Sequence, residues 1–495
     1  MGKIEGKPKS LTGHVLKAMG LLGSVQGLGV VCSVVRAKLV AIWIGAAGVG
    51  VFGLYNSAID MIASLLHLGL RNSAVKDVAS ADEKTLARVV KAVRRWSGAL
   101  GILSAVLTML FAPLLSKATF GDDEHIWGFV ALSLALLLTS LTNGELAILQ
   151  GRQLLSRLAK ASVWGVVAGL AVSVPMFYFM GERSIVPSIL AYALTTFIAT
   201  LVYRDRSVNR KVDMTFRETA AAGKAFVFLG IYMTISGFEQ MLSNYAFMAY
   251  LNSTASETVV GYYNAGNTLF NRYVGLVFAA ITMEYYPRLV EVASSRLRTG
   301  LYVSHEAALS MWVLLPVITI FIAAAPLIVR LLYSSEFDVI APFITIAIVG
   351  TVFRAISWCM AFVILARGDG PTYIVTETIS AVVGFVLNVA GYRLCGLEGL
   401  GVAYILWYVI YTVIIFVVYR YRYRLSLTAG SVGAMATVAV VCGVSLASFL
   451  IFGWLAATAV AVPACALSLI GIRRLMGKSK TTKKPLSDHK LTKNE

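Results

Sequence analysis

The sequence predicts an all-α polytopic membrane protein with about fourteen transmembrane helices. Hydrophobic residues make up 58% of the 495-residue chain and charged residues only 14%, whereas about a quarter of the residues in a soluble protein are charged. Apolar stretches of about 20 residues, long enough to cross the hydrocarbon core as helices, recur along nearly the whole chain. They lack the alternation of outer-membrane barrel strands.

The apolar stretches place the spans one after another along the chain. We expect them near residues 16–40, 48–69, 96–116, 126–149, 161–181, 184–203, 225–250, 258–283, 307–333, 338–366, 371–392, 399–419, 430–452 and 454–472. No segment between the spans is long enough for a folded catalytic domain. The sequence therefore indicates that the protein is not an enzyme.

A short internal repeat divides the spans into two halves. Gly53–Asn56 (GLYN) returns as Gly261–Asn264 (GYYN), and Asp77–Ser80 (DVAS) returns in the same order as Glu291–Ser294 (EVAS). Many transporters are built from paired halves, with the substrate site at the interface between them. Because an even number of spans returns each half to the same side of the membrane, the two halves should run parallel.

The repeat and the spans together predict the organisation of the chain. We assign residues 1–203 to an N-lobe, 204–224 to a cytoplasmic linker, 225–420 to a C-lobe, 421–475 to two further spans and 476–495 to a basic cytoplasmic tail. Lys and Arg are concentrated in the N-terminus, alternate loops and the tail, which predicts that both termini are cytoplasmic.

The net charge of +18 does not require a nucleic-acid partner. Basic cytoplasmic loops beside anionic lipid headgroups account for most of it. The five cysteines are spread singly along the chain. They show neither the spacing of metal ligands nor a disulfide framework, so we expect no metal site.

Two equivalent spans carry polar stripes at helical spacing. They are Asn56, Asp60, Ser64 and His67 in the second span and Asn264, Asn267, Asn271 and Arg272 in the eighth. Asn and Ser alone are also explained by hydrogen bonds between helices in a dry bundle. Asp60 and Arg272 favour opposing walls of a water-filled chamber, because a charge inside the membrane needs water or a counter-ion.

Further ionisable residues fall within predicted spans. They are Arg36, Lys38, Glu145, Glu239, Arg354 and Glu377. Snorkelling to the headgroups is the alternative for Arg36 and Lys38, and pairing with Arg152 or capping is the expectation for Glu145. An internal ion pair among Glu239, Arg354 and Glu377 is the alternative to a binding role.

These residue types suit an anionic substrate that carries sugars. The guanidinium fork of arginine matches phosphate oxygens, while amides and hydroxyls suit sugar hydroxyls. Carboxylates at membrane depth can exchange protons or hold sodium, which would couple transport to an ion gradient.

Several segments resemble the polysaccharide transporters that include the O-antigen flippases (Wzx type). The resembling segments are Ile42–Gly50 with Leu54–Asn56, Val260–Gly266, Tyr273–Phe278, Tyr285–Leu289, and Ala355–Trp358 with Ala366–Gly368 and Glu377. They run in order through both halves. Ala46 stands where the family most often has proline, a departure that affects a loop.

The resemblance implies the fold of the multidrug/oligosaccharidyl-lipid/polysaccharide exporter superfamily, with two six-helix lobes around a V-shaped cavity. It also implies a flippase of a bacterial inner membrane. The substrate would be an undecaprenyl-diphosphate-linked oligosaccharide, such as an O-antigen repeat unit used in lipopolysaccharide. The implied partners are a polysaccharide polymerase and a chain-length regulator. No cofactor is implied beyond a proton or sodium gradient.

Within this interpretation the candidate residues take separate roles. Arg272 and Arg354 are predicted to bind phosphate or an acidic sugar, with Arg36 and Lys38 as further cations. The remaining predicted substrate contacts are Asn56, Asn264, Asn267 and Asn271, and the predicted ion-coupling residues are Asp60, Glu239 and Glu377. Two alternatives stay open: a cation-coupled multidrug exporter of the same fold, and a membrane glycosyltransferase or polymerase.

Overall fold

The computed structural model describes residues 27–67, 69–207 and 214–482. Within these ranges the chain is helical and contains no strand, which confirms the predicted all-α fold. The start of the first predicted span, residues 208–213 of the predicted linker and residues 483–495 of the predicted tail lie outside the described residues.

The helices fall into two compact units. The first contains the described residues up to Asn264 together with Leu331–Phe337. Its helices are α1 (27–43), α2 (Gly45–Leu66), α3 (Leu70–Ser80), α4 (Glu83–Leu110), α5 (Ala112–Phe120), α6 (Ile126–Gly151), α7 (Leu155–Met180), α8 (Ile185–Tyr203), α9 (Phe216–Thr254) and the start of α10 (Glu257–Val292). Its largest apolar cluster joins α2, α6 and α8 around Tyr55, Phe129 and Ile185.

The second unit contains Ala265–Arg330 and the described residues from Asp338 onward. It holds the remainder of α10, followed by α11 (Arg296–Leu332), α12 (Ala341–Ala366), α13 (Gly370–Val417), α14 (Ala429–Phe452) and α15 (Trp454–Thr482). Non-helical backbone at Cys395 and Gly396 divides α13 into two helical segments. Gly396 has a φ of +58°, a left-handed conformation that glycine adopts without a steric penalty.

The described helices include eight segments long and apolar enough to cross a membrane, or nine when α4 and α5, bent by 66°, count as one span. Two of the eight segments, Leu155–Tyr203 and Gly370–Arg422, each contain more than one helix. The multi-span character of the protein agrees with the prediction. The count of fourteen and the lobe boundaries stay predictions.

Gly50 and the repeat glycine Gly261 bring α2 and the start of α10 into backbone contact. A Cβ atom added to Gly261 would lie 2.0 Å from the carbonyl oxygen of Ala46, and one added to Gly50 would lie 1.9 Å from the carbonyl oxygen of Glu257. Neither position has room for a side chain, because the added Cβ would meet a backbone carbonyl of the neighbouring helix, which cannot rotate out of the way. The two segments that match in sequence therefore pack directly on each other in the first unit.

Gly261→Ala tests this close approach. We expect it to lower the stability of the purified protein by about 1–3 kcal/mol through overpacking. Gly443→Ala is the matched control, because nothing lies within 4 Å of its added Cβ and alanine favours a helix by up to about 1 kcal/mol. Thermal unfolding in detergent measures both. Stabilisation by both substitutions would contradict the packing.

Ion pairs join helix ends in the first unit. The carboxylate of Asp205, which follows α8, contacts the guanidinium of Arg152 at the end of α6. Arg94 on α4 donates from Nε to Oε1 of Glu145 over 2.6 Å. The predicted pairing of Glu145 with Arg152 is therefore wrong. The packing of α4 against α6 brings Arg94 beside Glu145, while Arg152 lies past the helix end and contacts Asp205.

Asp205 is an almost completely buried anion, with 1% of its side chain exposed. Burial alone would raise its pKa, but hydrogen bonds from Ser207 and the guanidinium of Arg152 outweigh burial and lower the pKa. A carboxyl group whose pKa is lowered in the folded state stabilises that state above the unfolded pKa of about 3.9. The stabilisation is lost as the pH falls through the folded pKa.

Asp205→Asn should therefore lower the free energy of unfolding by about 1–3 kcal/mol at neutral pH, because it leaves Arg152 without its buried anion. The deficit should shrink as the pH falls below the unfolded pKa. Asp123→Asn is the control, since Asp123 and its partner Lys117 are both more than half exposed and such pairs contribute little. Equal thermal shifts for the two variants at neutral pH would contradict this account.

Candidate functional site

Each unit contains an arginine that is held by aromatic rings. In the first unit, Arg36 on α1 lies with its guanidinium carbon 4.6 Å from the ring centroid of Phe52 on α2 and 4.9 Å from that of Tyr192 on α8. We call these three residues the Arg36 cage. Cation–π contacts of this kind contribute about 2 kcal/mol when they are desolvated, which offsets part of the cost of placing a cation in the membrane.

Two donor atoms of Arg36 have no hydrogen-bond partner among the described residues. Its Nε and Nη2 atoms are buried and form no hydrogen bond with any described residue. A buried donor without an acceptor costs about 1–3 kcal/mol, and an anion with several oxygen acceptors would remove that cost. The two rings thus stabilise the positive charge, while Nε and Nη2 remain able to donate hydrogen bonds to a ligand.

In the second unit, Arg354 on α12 occupies a comparable environment. Its Nη1 atom donates to Oδ1 of Asn271 over 2.6 Å and to the hydroxyl of Tyr404 over 3.1 Å. The rings of Phe278 and Tyr408 lie with their centroids 5.4 and 5.6 Å from the guanidinium carbon. We call these five residues the Arg354 cage. Each of these described partners of the guanidinium is neutral.

Neither arginine forms an ion pair with a described side chain of its own unit. The cations that do form ion pairs among the described side chains are Arg94, Lys117, Arg152, Arg157, Arg330 and Arg422. The alternative of an ion pair between Arg354 and Glu377, both in the second unit, is therefore wrong. The carboxylate of Glu377 instead accepts a hydrogen bond from the hydroxyl of Tyr411.

Tyr408 connects the two charged groups of the second unit. Its ring covers Arg354 and lies 6.4 Å from the ring of Tyr411, whose hydroxyl donates to Glu377. Tyr404, Trp407, Tyr408 and Tyr411 follow one another at helical spacing on α13, and neighbouring rings lie 4.8–6.4 Å apart. In the second unit, the cation of Arg354 and the carboxylate of Glu377 therefore both lie against the aromatic rings of α13.

Lys38 has a different environment from Arg36. Its ammonium group donates to the backbone carbonyl of Leu331 over 2.6 Å. Leu331 lies in the last turn of α11, where carbonyls lack helical partners and attract cations. The contact gives Lys38 a capping role, and its predicted part in substrate binding stays untested.

The polar stripes divide between the two units. In the first, Asn56 donates to the carbonyl of Phe52 over 2.6 Å, Asp60 is exposed on α2, and the side chain of Asn264 fills the space beside Gly53. In the second, Asn271 donates to Oδ1 of Asn267 over 2.6 Å.

Asn267, Asn271 and Arg354 form one hydrogen-bonded chain. Since the Asn271 oxygen accepts from Arg354 while its amide donates to Asn267, the chain fixes the orientation of both amides. The structure thus brings three of the predicted substrate contacts together.

The structure adds little about two of the predicted site residues. The side chain of Arg272 lies outside those that the structure describes, so its predicted role is unchanged. Glu239 is half-buried on α9 of the first unit, and its predicted role in ion coupling also stays a prediction.

The aromatic members of the cages were not among the predicted site residues. Phe52, Tyr192, Phe278, Tyr404 and Tyr408 are ordinary residues of apolar spans when read singly. The spacing of Tyr404, Trp407, Tyr408 and Tyr411, at i, i+3, i+4 and i+7, does mark one face of a helix and could have identified the ring surface.

The fold is similar to that of solved membrane transporters, some of which are described as members of the MOP superfamily. The structure matches that of the lipid II flippase MurJ in its inward closed conformation with a TM-score of 0.69 and 12% identity, over 93% of this chain and 100% of MurJ. It also matches an inward-facing multidrug resistance MATE family transporter (TM-score 0.64, 15% identity, 79% and 94% of the two chains). A MOP superfamily transporter from Pyrococcus furiosus matches as well (0.58, 16%, 82% and 96%).

The chain belongs to the polysaccharide biosynthesis protein family, whose model matches residues 40–342. No protein of curated function matches its sequence. The resemblance inferred from the sequence is thereby confirmed. The solved structures that share the fold are a flippase and a transporter, in agreement with the prediction that the protein is not an enzyme.

Proposed function

We propose that the protein is a flippase that moves an undecaprenyl-diphosphate-linked oligosaccharide from the cytoplasmic to the periplasmic leaflet of a bacterial inner membrane. The observation that carries the proposal is the pair of arginine cages. Each holds a cation at membrane depth with neutral partners, and the Arg36 cage leaves two buried donors without acceptors. Both features suit a substrate that brings its own negative charge.

The proposal assigns phosphate binding to each cage separately, through Arg36 in the first unit and through Arg354 in the second, with Arg272 as a further predicted cation. Arginine is suited to this role because its planar fork donates two parallel hydrogen bonds to phosphate oxygens. Asn267 and Asn271 supply amide groups for sugar hydroxyls, and the rings of α13 offer apolar faces to pyranose rings. Family membership and the likeness in fold to a lipid II flippase support this substrate class.

The same features disfavour the multidrug alternative. A cationic drug would be repelled by either arginine, because no described carboxylate of its own unit pairs with it and like charges in a low-dielectric site interact strongly. The similar MATE structures are therefore evidence for the fold, and the charge of the cages argues for an anionic cargo.

Movement by alternating access and its coupling to a proton or sodium gradient belong to the proposal. Glu377 is the carboxylate best placed to report on occupancy, because it and Arg354 both lie against the aromatic rings of α13. Asp60 and Glu239 are the candidates in the first unit. Cytoplasmic termini and a working relation to a polymerase and a chain-length regulator are further parts of the same proposal.

Arg354→Gln and Arg36→Gln should each reduce translocation at least about tenfold, the effect of losing one charge-assisted contact. Both variants should still insert and accumulate. Arg330→Gln is the matched control, because that guanidinium is exposed and paired with Asp338 at 2.8 Å. The readout is surface polysaccharide in a deletion host that carries each variant. Full transport by stable Arg36→Gln and Arg354→Gln variants would remove both cages from the site.

Deletion of the gene in the native host tests the function itself. We expect undecaprenyl-linked repeat units to be trapped in the inner leaflet and surface polysaccharide to be lost. Normal surface glycan together with increased drug sensitivity would contradict the flippase proposal and favour drug export.

A further inference from the structure

A second arginine cluster lies at the ends of α12 and α13 in the second unit, away from the residues of the Arg354 cage in sequence. Four arginines occur there, Arg367 after α12 and Arg420, Arg422 and Arg424 at the end of α13. The predicted orientation places these helix ends at the cytoplasmic membrane face. Tyr421 is 77% exposed in the same turn, as is common for tyrosine at the headgroup level.

The carboxylate of Asp369 contacts this cluster, and both of its oxygens already accept hydrogen bonds. Oδ2 of Asp369 accepts from Nε of Arg422 over 2.8 Å and from the hydroxyl of Tyr423 over 2.7 Å, while Oδ1 accepts from the backbone of Thr372. The Arg422 guanidinium, with smaller help from Tyr423 and Thr372, holds the pKa of Asp369 well below its usual range. Asp369 therefore neutralises Arg422, and no described carboxylate forms an ion pair with Arg367.

Arg367 and Tyr419 carry unused donors. The guanidinium of Arg367 packs on the ring of Tyr423 at 4.9 Å, and its Nε atom is buried without a hydrogen bond to any described residue. The hydroxyl of Tyr419 is likewise buried without a hydrogen bond to any described residue, and Tyr419 as a whole is 1% exposed. Tyr423, whose ring Arg367 covers, follows Tyr419 by four residues and is buried on the same face of the turn, so Arg367 lies beside the part of the turn that carries Tyr419.

The backbone at this place is also unusual. Val418–Arg422 is a π-helical turn, a local structure that occurs frequently at functional sites. Arg424 has a φ of +53°, which is costly for a residue with a side chain and persists where the surroundings require it. The turn keeps Tyr419 inward while Arg420 faces outward.

We propose that Arg367 and Tyr419 form a site for the phosphate group of an anionic phospholipid at the membrane surface. A phosphate oxygen can accept from a guanidinium and a phenol at once. Arg420, Arg422 and Arg424 add the positive potential that draws anionic headgroups to the surface. The site uses none of the residues assigned to the transported substrate, so it stands apart from the proposed function.

The test is a lipid titration of the purified full-length protein in detergent, followed by thermal unfolding and by intrinsic fluorescence. The probes are phosphatidylglycerol, a galactolipid that has no phosphate, and inorganic phosphate. We expect phosphatidylglycerol to bind and to raise the melting temperature, and the galactolipid to do neither. Equal effects of the two lipids would overturn the proposal. Equal affinity for inorganic phosphate would overturn its assignment to a lipid.

Variants locate the binding. Arg367→Gln and Tyr419→Phe should each weaken phosphatidylglycerol binding about tenfold, whereas Arg420→Gln removes a neighbouring exposed charge and should change it less than about threefold. Without lipid, Tyr419→Phe should melt at or above the wild-type temperature, because it removes a buried hydroxyl that has no partner. Equal weakening by Arg420→Gln and Arg367→Gln would reduce the effect to general surface charge and overturn the site.

Discussion

The cost of a guanidinium inside a membrane governs how the functional part of this protein is built. An arginine at membrane depth is expensive unless it finds an anion, water or an electron-rich surface. Here the two arginines rest on aromatic rings drawn from several helices: α2 and α8 in the first unit, α10 and α13 in the second. The helices that the predicted repeat makes equivalent, α2 with α10 and α8 with the second part of α13, thus supply the rings in both units.

Holding a cation with rings has a consequence that an ion pair would not have. A carboxylate partner would cancel the charge and occupy the donors, and a substrate phosphate would then have to displace it. Aromatic rings stabilise the charge through their quadrupoles and leave the N–H groups available. The network of Asn267, Asn271 and Tyr404 around Arg354 adds orientation without adding charge. Such an arrangement keeps its affinity for an anion while remaining stable in its absence.

Hydropathy and length were sufficient to predict the all-α membrane fold, because crossing hydrocarbon imposes a helix length that can be read directly from sequence. The family was recognisable from short motifs such as Gly261–Asn264, whose glycine is required by the contact with Ala46. Partners between helices were harder to predict. Glu145 contacts Arg94 rather than Arg152, and Lys38 caps α11, since these contacts depend on which helices are neighbours. The cage rings were missed because aromatic residues are common in apolar spans.

The central claim is that the buried arginines select a phosphate-bearing substrate. The most direct measurement is the affinity of the purified full-length protein, in nanodiscs, for undecaprenyl diphosphate and for undecaprenol, which has the same chain without phosphate. The account predicts that the diphosphate binds at least about a hundredfold more tightly, as expected for two charge-assisted contacts, and that salt weakens its binding. Equal affinity for the two lipids would show that the polyprenyl chain alone is recognised and would contradict the account.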